Sequence, residues 1–296
     1  MDTTWDGLPI APDNPRGAGV VVRRADGSSA DFLLLHRHHN GPSYEGDWAW
    51  TSPSGARLPG EPILAGAERE LLEETGLAGL DLRPVDLSGG WAVFAAAAPP
   101  AAPIVLDPEH DRYEWLSHTE AVARLSPASV AHNFQRGAAL PLPTISLRPL
   151  RYDDLPRMTA WFALPHIASW YVGPSSVDAA TEKYGPRIDG RDPVRCHILL
   201  VDDAAAGFLQ CYPTPADAEI GIDFFIGATD LVGRGIGPQA IWAYLRDVVL
   251  LQYPHAAYAV ADPAADNLRS IRALEKTGFV RRGEIYALDR ARVFGA

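Results

Sequence analysis

The sequence predicts an α/β protein of the α+β kind, in which two different domains are joined in one chain. Three observations lead to this prediction. The chain has 296 residues, which is more than one typical domain needs. Strand-like and helix-like segments alternate along both halves, and no repeat relates one half to the other. Between about residues 126 and 144 the composition shifts to Ala, Pro and Gly, which is typical of an extended connection stiffened by proline. We therefore expect one domain at 1–140 and a second at 144–296.

The charge and composition exclude several classes of protein. The net charge of -11 at pH 7 argues against a nucleic-acid-binding surface, since phosphate binding needs clustered Lys and Arg. The N-terminus lacks the pattern of a signal peptide, and no apolar run approaches the roughly 20 residues of a membrane-spanning helix. The two cysteines, Cys196 and Cys211, fit neither a zinc site nor a disulfide framework. The sequence thus predicts a cytoplasmic protein that acts on small molecules, with neither nucleic acid nor membrane as a partner and no signal for an oligomeric state.

The first half reads as one compact α/β unit. Apolar runs on either side of residues 26–28 predict a β-hairpin whose turn lies at those residues. A strand is expected in WAWTSP, followed by a helix between Pro62 and Gly76, because proline suits a first helical turn and glycine suits a left-handed cap. Further strands are expected in GGWAVFAAAA and at residues 104–106, and a short amphipathic helix at 119–125.

The second half has a different order of elements. It begins with a strand in ISLRPL, and helices are expected around residues 155–162 and 177–188. Strands are then expected in HILLV, GFLQCY and EIGIDFFI. A glycine-rich turn opens an amphipathic helix, and the strand AAYAVA and a helix in NLRSIRALEKTGF follow.

The predicted helix before Gly76 carries a cluster of like charges. Glu70, Glu73 and Glu74 stand at i, i+3 and i+4, so they share one face of the helix. Carboxylates on one face repel each other unless a cation neutralises them, and hard oxygen ligands of this kind suit Mg²⁺ or Mn²⁺. Considered alone, the cluster has a plainer explanation as a solvated acidic face.

The spacing of the whole segment GARLPGEPILAGAERELLEETGL, residues 55–77, resembles the signature box of the Nudix hydrolases, with every defined position filled. The resemblance covers about residues 16–140 and implies an α/β/α sandwich with a mixed sheet. It also implies hydrolysis of a nucleoside diphosphate linked to another group, by attack of water on phosphorus with the help of metal ions. Glu70, Glu73 and Glu74 would be the metal ligands, and Glu70 and Glu73 would be catalytic. Arg69 would position these carboxylates.

Other side chains of the first half have both a functional and a structural explanation. Glu109, in EHDRYEWL, is a further candidate metal ligand or a surface loop glutamate. Four basic residues lie at the end of the hairpin, and they are His36, Arg37, His38 and His39. They would either contact phosphate or form a solvated sheet edge. Three aromatic residues, Tyr44, Trp48 and Trp50, would either stack on a nucleotide base or belong to the core.

The glycine-rich segment VGRGIGPQA, considered apart from the rest of the chain, has two explanations. Its glycines allow a tight turn whose N–H groups face a pyrophosphate, or they form an ordinary turn between strand and helix. Together with AYAVADP and DNLRSIRALEKTGF, the segment resembles the acetyl-CoA-binding core of the GNAT acyltransferases, although valine stands where Arg or Gln is common. The resemblance implies a central mixed, bent sheet flanked by helices, and acetyl-CoA as cofactor. The implied cofactor-binding residues are Val232, Gly233, Arg234, Gly235, Ile236, Gly237 and Asn267.

Within this superfamily, residues 145–283 look like the aminoglycoside 6'-N-acetyltransferases and the related branch that acylates lysine-type or siderophore amines. The resemblance implies direct transfer to an amine, with Asp223 as general base and Asp262 holding a cationic substrate. Plain loop carboxylates are the alternative for both. One departure is Leu274, which stands where many relatives have a tyrosine that protonates the leaving thiolate. Either the thiolate leaves unassisted, or Tyr286 serves instead, or transfer is poor.

The predicted function is thus bifunctional. The first domain would be a metal-dependent Nudix pyrophosphohydrolase, and the second would transfer an acetyl group from acetyl-CoA to a small-molecule amine. The alternative is that one domain alone is catalytic, while the other is a nucleotide-sensing or acyl-CoA-binding module.

Overall fold

The structure is a computed structural model that describes residues 2–4, 7–26, 29–216 and 218–295. Most of the predicted hairpin turn at 26–28 therefore lies outside the described residues. Contacts between Cα atoms divide the chain into two compact units, one of Met1–Leu142 with Ala291–Ala296 and the other of Pro143–Arg290. The domain limits 1–140 and 144–296 remain predictions, and residues 291–296 are grouped with the first unit rather than the second.

The first unit is built on a mixed sheet. Its strands are β1 (Gly17–Asp26), β2 (Ser29–Arg37), β3 (Trp50–Thr51), β4 (Ser54–Ala56), β5 (Arg83–Asp86), β6 (Ala92–Ala97) and β7 (His110–Leu116). The order across the sheet is β3-β2-β1-β6-β5, with β4 paired to β1 and β7 paired to β2. β1 and β6 run parallel, whereas the hairpin partners β1 and β2 run antiparallel. A parallel and an antiparallel neighbour on the same strand make this the mixed sheet that the sequence predicts.

Helices cover both faces of this sheet. They are α1 (Ile63–Thr75), α2 (His118–Arg124) and α3 (Ala128–Ala138). Gly55 pairs with Ala18 and faces α1, since a Cβ placed on Gly55 would meet the carboxyl group of Glu70. A Cβ on Gly137 of α3 would meet the side chain of Val21 at 2.4 Å. Because strand side chains alternate between faces, Ala18 and Val21 point to opposite sides, and the layers are helix, sheet and helix.

Two predictions for the first half are wrong. Residues 128–138 of the expected extended connection form α3, because Phe134 is buried against the sheet and Gly137 lies directly on Val21. Residues 104–106 are not a strand. There the N–H of Val105 donates to the carbonyl of Thr75 at 2.9 Å, so the segment packs on the end of α1 rather than on the sheet.

The second unit also has a mixed sheet. Its strands are β8 (Ile145–Pro149), β9 (Arg195–Val201), β10 (Ala204–Pro213), β11 (Glu219–Ile226), β12 (Tyr258–Ala261), β13 (Val280–Arg282) and β14 (Ile285–Asp289), arranged in the order β13-β14-β12-β11-β10-β9-β8. β11 and β12 are parallel, and they pair only from Glu219 to Gly221. Beyond Gly221, β11 stays paired with β10 but no longer with β12. The two central strands therefore diverge in the middle of the sheet.

The helices of this unit are α4 (Leu155–Phe162), α5 (Pro165–Ala168), α6 (Val177–Ile188), α7 (Ile236–Tyr244), α8 (Leu250–Gln252) and α9 (Leu268–Lys276). A last short helix, α10 (Arg290–Val293), begins at the final residue of this unit and is otherwise grouped with the first. The expected helices at 155–162 and 177–188 are confirmed. The helix after the glycine-rich turn is not amphipathic, because α7 is buried from Pro238 through Tyr244. Trp242 and Tyr244 of α7 are both 0 % exposed, so this helix belongs to the core on all sides. Within the described residues, no helix has the length and apolar character needed to cross a membrane.

Candidate active sites

The acidic helix α1 has the boundaries that its sequence predicts. It begins after Pro62, whose backbone is extended, and it ends at Gly76, whose φ is 74°. The N–H of Gly76 donates to the carbonyl of Leu72 and closes the last turn. A side chain at Gly76 would be strained in this left-handed conformation, which explains the glycine at this position.

Arg69 of α1 holds together three carboxylates, two on the same helix and one just before it. Its Nε donates to Glu61 Oε1 at 2.7 Å, and its Nη1 donates to Glu70 Oε1 at 2.8 Å and to Glu73 Oε2 at 3.0 Å. The pKa of Glu61 is lowered: burial opposes ionisation, but the hydrogen bonds from Arg69 and from the Leu58 N–H outweigh it. Burial raises the pKa of Glu70, although Arg69 opposes that change. The guanidinium is thus the counter-ion of this acidic cluster.

Gly55 makes room for one of these carboxylates. A Cβ on Gly55 would lie 2.1 Å from the carboxyl carbon and 2.2 Å from both carboxyl oxygens of Glu70. A side chain at this position would displace the Glu70 carboxyl group, so glycine leaves room for that carboxylate where β4 passes under α1. Gly55, the first residue of the 55–77 segment, is therefore in direct contact with Glu70, the sixteenth.

Glu74 points into the sheet rather than towards Arg69. Its side chain is 5 % exposed, its Oε2 accepts a hydrogen bond of 2.7 Å from the Ser54 N–H, and its Oε1 lies 3.8 Å from His110 Nε2. Burial raises the pKa of Glu74 well above its usual value, against the hydrogen bond from Ser54 and the charge of Arg37. His110 is itself held by Asp107, whose Oδ1 lies 2.8 Å from His110 Nδ1.

The candidate ligands on α1 are carboxylate oxygens, which suit a hard divalent cation. Among the described residues, however, no group of three or more His, Cys, Asp or Glu side chains is placed to hold a metal ion. Glu70 and Glu73 meet at Arg69, while Glu74 faces Ser54 and His110. A shared metal on Glu70, Glu73, Glu74 and Glu109 therefore stays a prediction. Glu109 precedes β7, and its carbonyl accepts from the His38 N–H at 2.8 Å.

The structure separates the members of the basic and aromatic groups. His36 is buried, with Nδ1 2.7 Å from Asp111 and Nε2 2.7 Å from the Tyr44 carbonyl, so it belongs to the core. Trp50 is 0 % exposed and lies between the guanidinium groups of Arg112 and Arg124. Trp48 differs from these two, because it is 50 % exposed.

The second unit contains a cleft of about 720 Å³ where β11 and β12 diverge. Residues of both strands, of the segments that follow them and of the segment after α5 line it, among them Asp223, Asp262, Trp170 and Tyr171. A cleft at a divergence of parallel strands exposes backbone N–H and C=O groups that have no strand partner. Such a cleft can bind an extended ligand along the strand edge.

The glycine-rich turn forms one wall of this cleft. Val232, Gly233, Gly235 and Gly237 line the cleft, as the sequence predicts for a ligand-binding loop. Gly233 and Gly235 have φ of 82° and 78°, which explains why glycine occupies these two positions. Ile236 is 2 % exposed, so its side chain packs in the core, while the side chain of Arg234 is exposed.

Asp223 is held by a polar network that crosses the sheet. Its Oδ2 accepts a hydrogen bond of 2.6 Å from Gln210 Nε2, and Gln210 lies directly opposite it on β10. Gln210 Oε1 accepts a hydrogen bond of 2.9 Å from Arg187 Nη1. The arginine can only donate, so the amide nitrogen of Gln210 must face the carboxylate. Burial raises the pKa of Asp223, the Gln210 hydrogen bond opposes this, and the charge of Asp262 adds to it.

The other predicted residues of the second half also lie at the cleft. Asp262 follows β12 and is exposed there. Asn267 lines the cleft, and its side chain caps α9 by accepting a hydrogen bond of 3.2 Å from the Ser270 N–H. This cap is a structural role that the sequence-based prediction for Asn267 did not include.

Family profiles match both halves of the chain. A NUDIX domain profile matches residues 13–135, and a profile described as an acetyltransferase (GNAT) domain matches residues 151–287.

The chain contains a NUDIX domain followed by a GNAT acetyltransferase domain.

Curated relatives resemble one domain each. An aminoglycoside N(6')-acetyltransferase type 1 of Klebsiella pneumoniae is 26% identical over 166 residues, which span 51% of this chain and 81% of that protein. An RNA pyrophosphohydrolase of Caulobacter vibrioides is 32% identical over 101 residues, which span 34% of this chain and 51% of that protein. A solved structure of the aminoglycoside acetyltransferase AAC(6')-Ib with coenzyme A and kanamycin is 24% identical, covers 50% of this chain and 96% of its own, and has a TM-score of 0.46.

Several residues of the two domains were missed by sequence reasoning. In the NUDIX domain they are Asp107 and His110, which reach Glu74 from a loop and strand remote in sequence. In the GNAT domain they are Gln210 and Arg187. The alternation along GFLQCY could have placed Gln210 on one face of a strand, but only the pairing of β10 with β11 sets it opposite Asp223. Leu274 is 0 % exposed and Tyr286 is 7 % exposed, so Leu274 is a core residue.

Proposed function

We propose that the NUDIX domain hydrolyses a nucleoside-diphosphate-linked substrate with Mg²⁺ or Mn²⁺, and that the GNAT domain transfers the acetyl group of acetyl-CoA to a small-molecule amine. The two reactions are argued from different observations. The first depends on the carboxylates gathered by Arg69, and the second depends on Asp223 in the cleft between β11 and β12.

In the NUDIX domain, Glu70, Glu73, Glu74 and Glu109 would hold the metal. When bound, Mg²⁺ or Mn²⁺ would screen the phosphate charge and make water a better nucleophile. Arg69 keeps Glu70 and Glu73 next to one another through its hydrogen bonds. Gly55 of β4 lets the Glu70 carboxyl group lie directly against that strand. Glu73 has a side chain that is 55% exposed, so of these carboxylates it is well placed to meet an incoming substrate or water.

The test of the first reaction is a substrate panel. Purified full-length chain would be incubated with nucleoside diphosphate sugars, dinucleoside polyphosphates and RNA with a 5'-triphosphate, with Mg²⁺, with Mn²⁺ or with a chelator. The RNA is included because the Caulobacter relative is named as an RNA pyrophosphohydrolase. We expect cation-dependent cleavage of the diphosphate linkage of a small nucleotide, with a nucleoside monophosphate among the products. No turnover across the panel would contradict the proposal.

In the GNAT domain, Asp223 would accept a proton from the substrate ammonium, because an amine needs a free lone pair to attack a carbonyl carbon. The nitrogen then bonds to the acetyl carbon and the carbon–sulfur bond breaks, which releases the CoA thiolate. The raised pKa of Asp223 suits it to this role, since a carboxylate with an ordinary pKa is a weaker base. The turn at Gly233 and Gly235 would present backbone N–H groups to the pyrophosphate of CoA.

The amine is best sought among polyamines with several cationic groups. Asp223, Asp262 and Asp266 line one cleft together with Trp170 and Tyr171, and this combination of carboxylates and aromatic faces favours a cationic, partly apolar ligand. The Klebsiella relative is named for an aminoglycoside. Mass spectrometry of kanamycin-type aminoglycosides, lysine derivatives and siderophore amines after incubation with acetyl-CoA tests this choice.

A GNAT domain that only binds acyl-CoA is a second candidate. The observations that favour it are Val232 in the loop, where Arg or Gln is common, and Leu274 in the core. Calorimetric titration with acetyl-CoA precedes the amine screen. Binding with no acetylated product over the whole panel would support the second candidate, whereas the absence of heat would exclude both.

A further inference from the structure

Lysine is rare in this chain and is found only beside the acetyltransferase cleft. Of the 26 Lys and Arg residues, only Lys183 and Lys276 are lysines. Lys183 lies on α6, and Lys276 lies at the end of α9 and lines the cleft. Arginine carries a charge that proteins cannot remove, whereas the lysine amine can lose its proton and become a nucleophile. The chain therefore has few nitrogen nucleophiles of this kind, and they lie in the GNAT domain.

Lys183 lies one layer of side chains away from Asp223. Its Nζ is 5.8 Å from the centre of the Tyr171 ring and 5.5 Å from that of the Tyr184 ring. Tyr171 lines the cleft, and its hydroxyl accepts a hydrogen bond of 3.2 Å from Gln210 Nε2, the atom that also donates to Asp223. Lys183 itself is exposed, so its side chain has room to move over the Tyr171 ring towards the cleft.

The electrostatic surroundings of Lys183 favour loss of its proton. Partial burial of its otherwise exposed side chain lowers its pKa first, the charge of Arg187 lowers it further, and Asp223 and Cys196 oppose these effects. A lower pKa increases the fraction of neutral amine near neutral pH, and only the neutral amine attacks a carbonyl carbon.

We propose that Lys183 is acetylated by its own GNAT domain, with acetyl-CoA as the donor. This inference rests on the proposed binding of acetyl-CoA to the cleft. The Lys183 ammonium loses one proton to Asp223, its nitrogen forms a bond to the acetyl carbon, and the carbon–sulfur bond of acetyl-CoA breaks. The products are N-acetyl-lysine and CoA, whose thiolate takes up the second proton that the nitrogen loses as the amide forms. One positive charge next to Asp223 is lost in the process.

The experiment follows the modification at both lysines in the full-length chain. Purified protein is incubated with acetyl-CoA and digested, and the 42-Da gain in peptides that contain Lys183 or Lys276 is followed with time. Lys276 is an internal control, since it meets the same reagent in the same tube. We expect Lys183 to be acetylated at least about tenfold faster than Lys276, because Lys183 is the lysine whose charge acts on Asp223, the proposed proton acceptor.

Variants and conditions separate this reaction from chemical acetylation. Asp223→Asn should slow the reaction at Lys183 by about tenfold or more and leave Lys276 unchanged. Lys183→Arg keeps the positive charge and should abolish the fast phase. The rate constant should not depend on protein concentration, because the base and the nucleophile belong to the same domain.

Calorimetry with acetyl-CoA on the same preparation distinguishes the two possible failures. If acetyl-CoA binds and Lys183 is modified no faster than Lys276, or equally fast in heat-denatured chain, this inference is overturned while the proposed function stands. If acetyl-CoA does not bind, both are overturned. A rate that rises in proportion to protein concentration would show transfer between molecules and would contradict the assignment to the domain's own cleft.

Discussion

The two sites of this chain assemble their carboxylates in different ways. In the NUDIX domain, Arg69, Glu70 and Glu73 lie on one helix and meet because residues three and four apart share a face. In the GNAT domain, Asp223 lies on β11 and Asp262 follows β12. Both line the same cleft, which opens where these two neighbouring strands diverge. The first arrangement depends on local helical geometry, and the second depends on which strands become neighbours.

The two sites also differ in whether the carboxylate is hydrogen-bonded to an arginine directly or through a neutral amide. Glu61 bonds directly to the Arg69 guanidinium, and its pKa is lowered in spite of burial. Asp223 bonds to the neutral amide of Gln210, which in turn accepts a hydrogen bond from Arg187, and its pKa is raised. A carboxylate paired with a guanidinium is a good anionic ligand but a weak base. An amide between the two charges leaves a carboxylate that can accept a proton.

The largest expected effect tests the helical site. We expect Glu73→Gln to lower cation-dependent hydrolysis by about 10²- to 10⁴-fold, because a neutral amide replaces the most exposed carboxylate held by Arg69. Initial rates on the best substrate of the panel measure this loss. Glu68→Gln, an exposed glutamate of the same helix, is the matched control and should retain activity. Unchanged turnover in Glu73→Gln would contradict the assignment of the site to α1.

The corresponding change in the cleft should have a somewhat smaller effect. Asp223→Asn should lower the acetylation rate by about 10²- to 10³-fold, because the substrate ammonium loses its proton acceptor. Binding of acetyl-CoA, measured by calorimetry, should stay the same. Asp262→Asn should instead raise KM for a cationic amine with a smaller change in kcat. A loss of acetyl-CoA binding in Asp223→Asn would show a structural role for this residue.

Gly55→Ala tests how much the helical site depends on the strand beneath it. A Cβ would lie 2.1 Å from the Glu70 carboxyl carbon, so the helix or the carboxylate must shift. We expect hydrolysis to fall by roughly tenfold or more through misplacement of Glu70, and stability to fall by about 1–3 kcal/mol. Kinetics and thermal unfolding measure the two effects. Gly89→Ala should leave both quantities unchanged, since a Cβ there would have its nearest contact at 3.5 Å. Wild-type hydrolysis in Gly55→Ala would show that Glu70 is dispensable.

The smallest expected effect is on the pH dependence of acetylation, and it tests the Gln210 amide that donates to Asp223. Burial raises the pKa of Asp223, and the hydrogen bond from Gln210 lowers it, against the charge of Asp262. Gln210→Met removes the donor, so the pKa of Asp223 rises further and the acidic limb of the kcat/KM profile should move to higher pH. The pH dependence of acetylation measures this shift, and acetyl-CoA binding serves as the control. A shift to lower pH would show that Gln210 does not stabilise the ionised form of Asp223.

Much of the fold was predictable because the signals are local. The caps Pro62 and Gly76 define α1, and the helices at 155–162 and 177–188 have the predicted boundaries. The errors occur where tertiary packing outweighs composition. An Ala- and Pro-rich segment forms α3 because Phe134 and Gly137 pack on the sheet, and the apolar residues at 104–106 pack on the end of α1 instead of joining the sheet.

The sequence by itself determined that Glu70 and Glu73 of the NUDIX helix come together, because the geometry of a helix depends only on spacing along the chain. It also determined where glycine is needed for a left-handed backbone, at Gly76 and in the turn that contains Gly233 and Gly235. Only the tertiary structure decided that Glu74 turns towards His110, that Gln210 lies opposite Asp223, and that Lys183 lies beside Tyr171. These contacts join segments far apart in the chain, and they depend on strand register and helix packing, which no local pattern specifies.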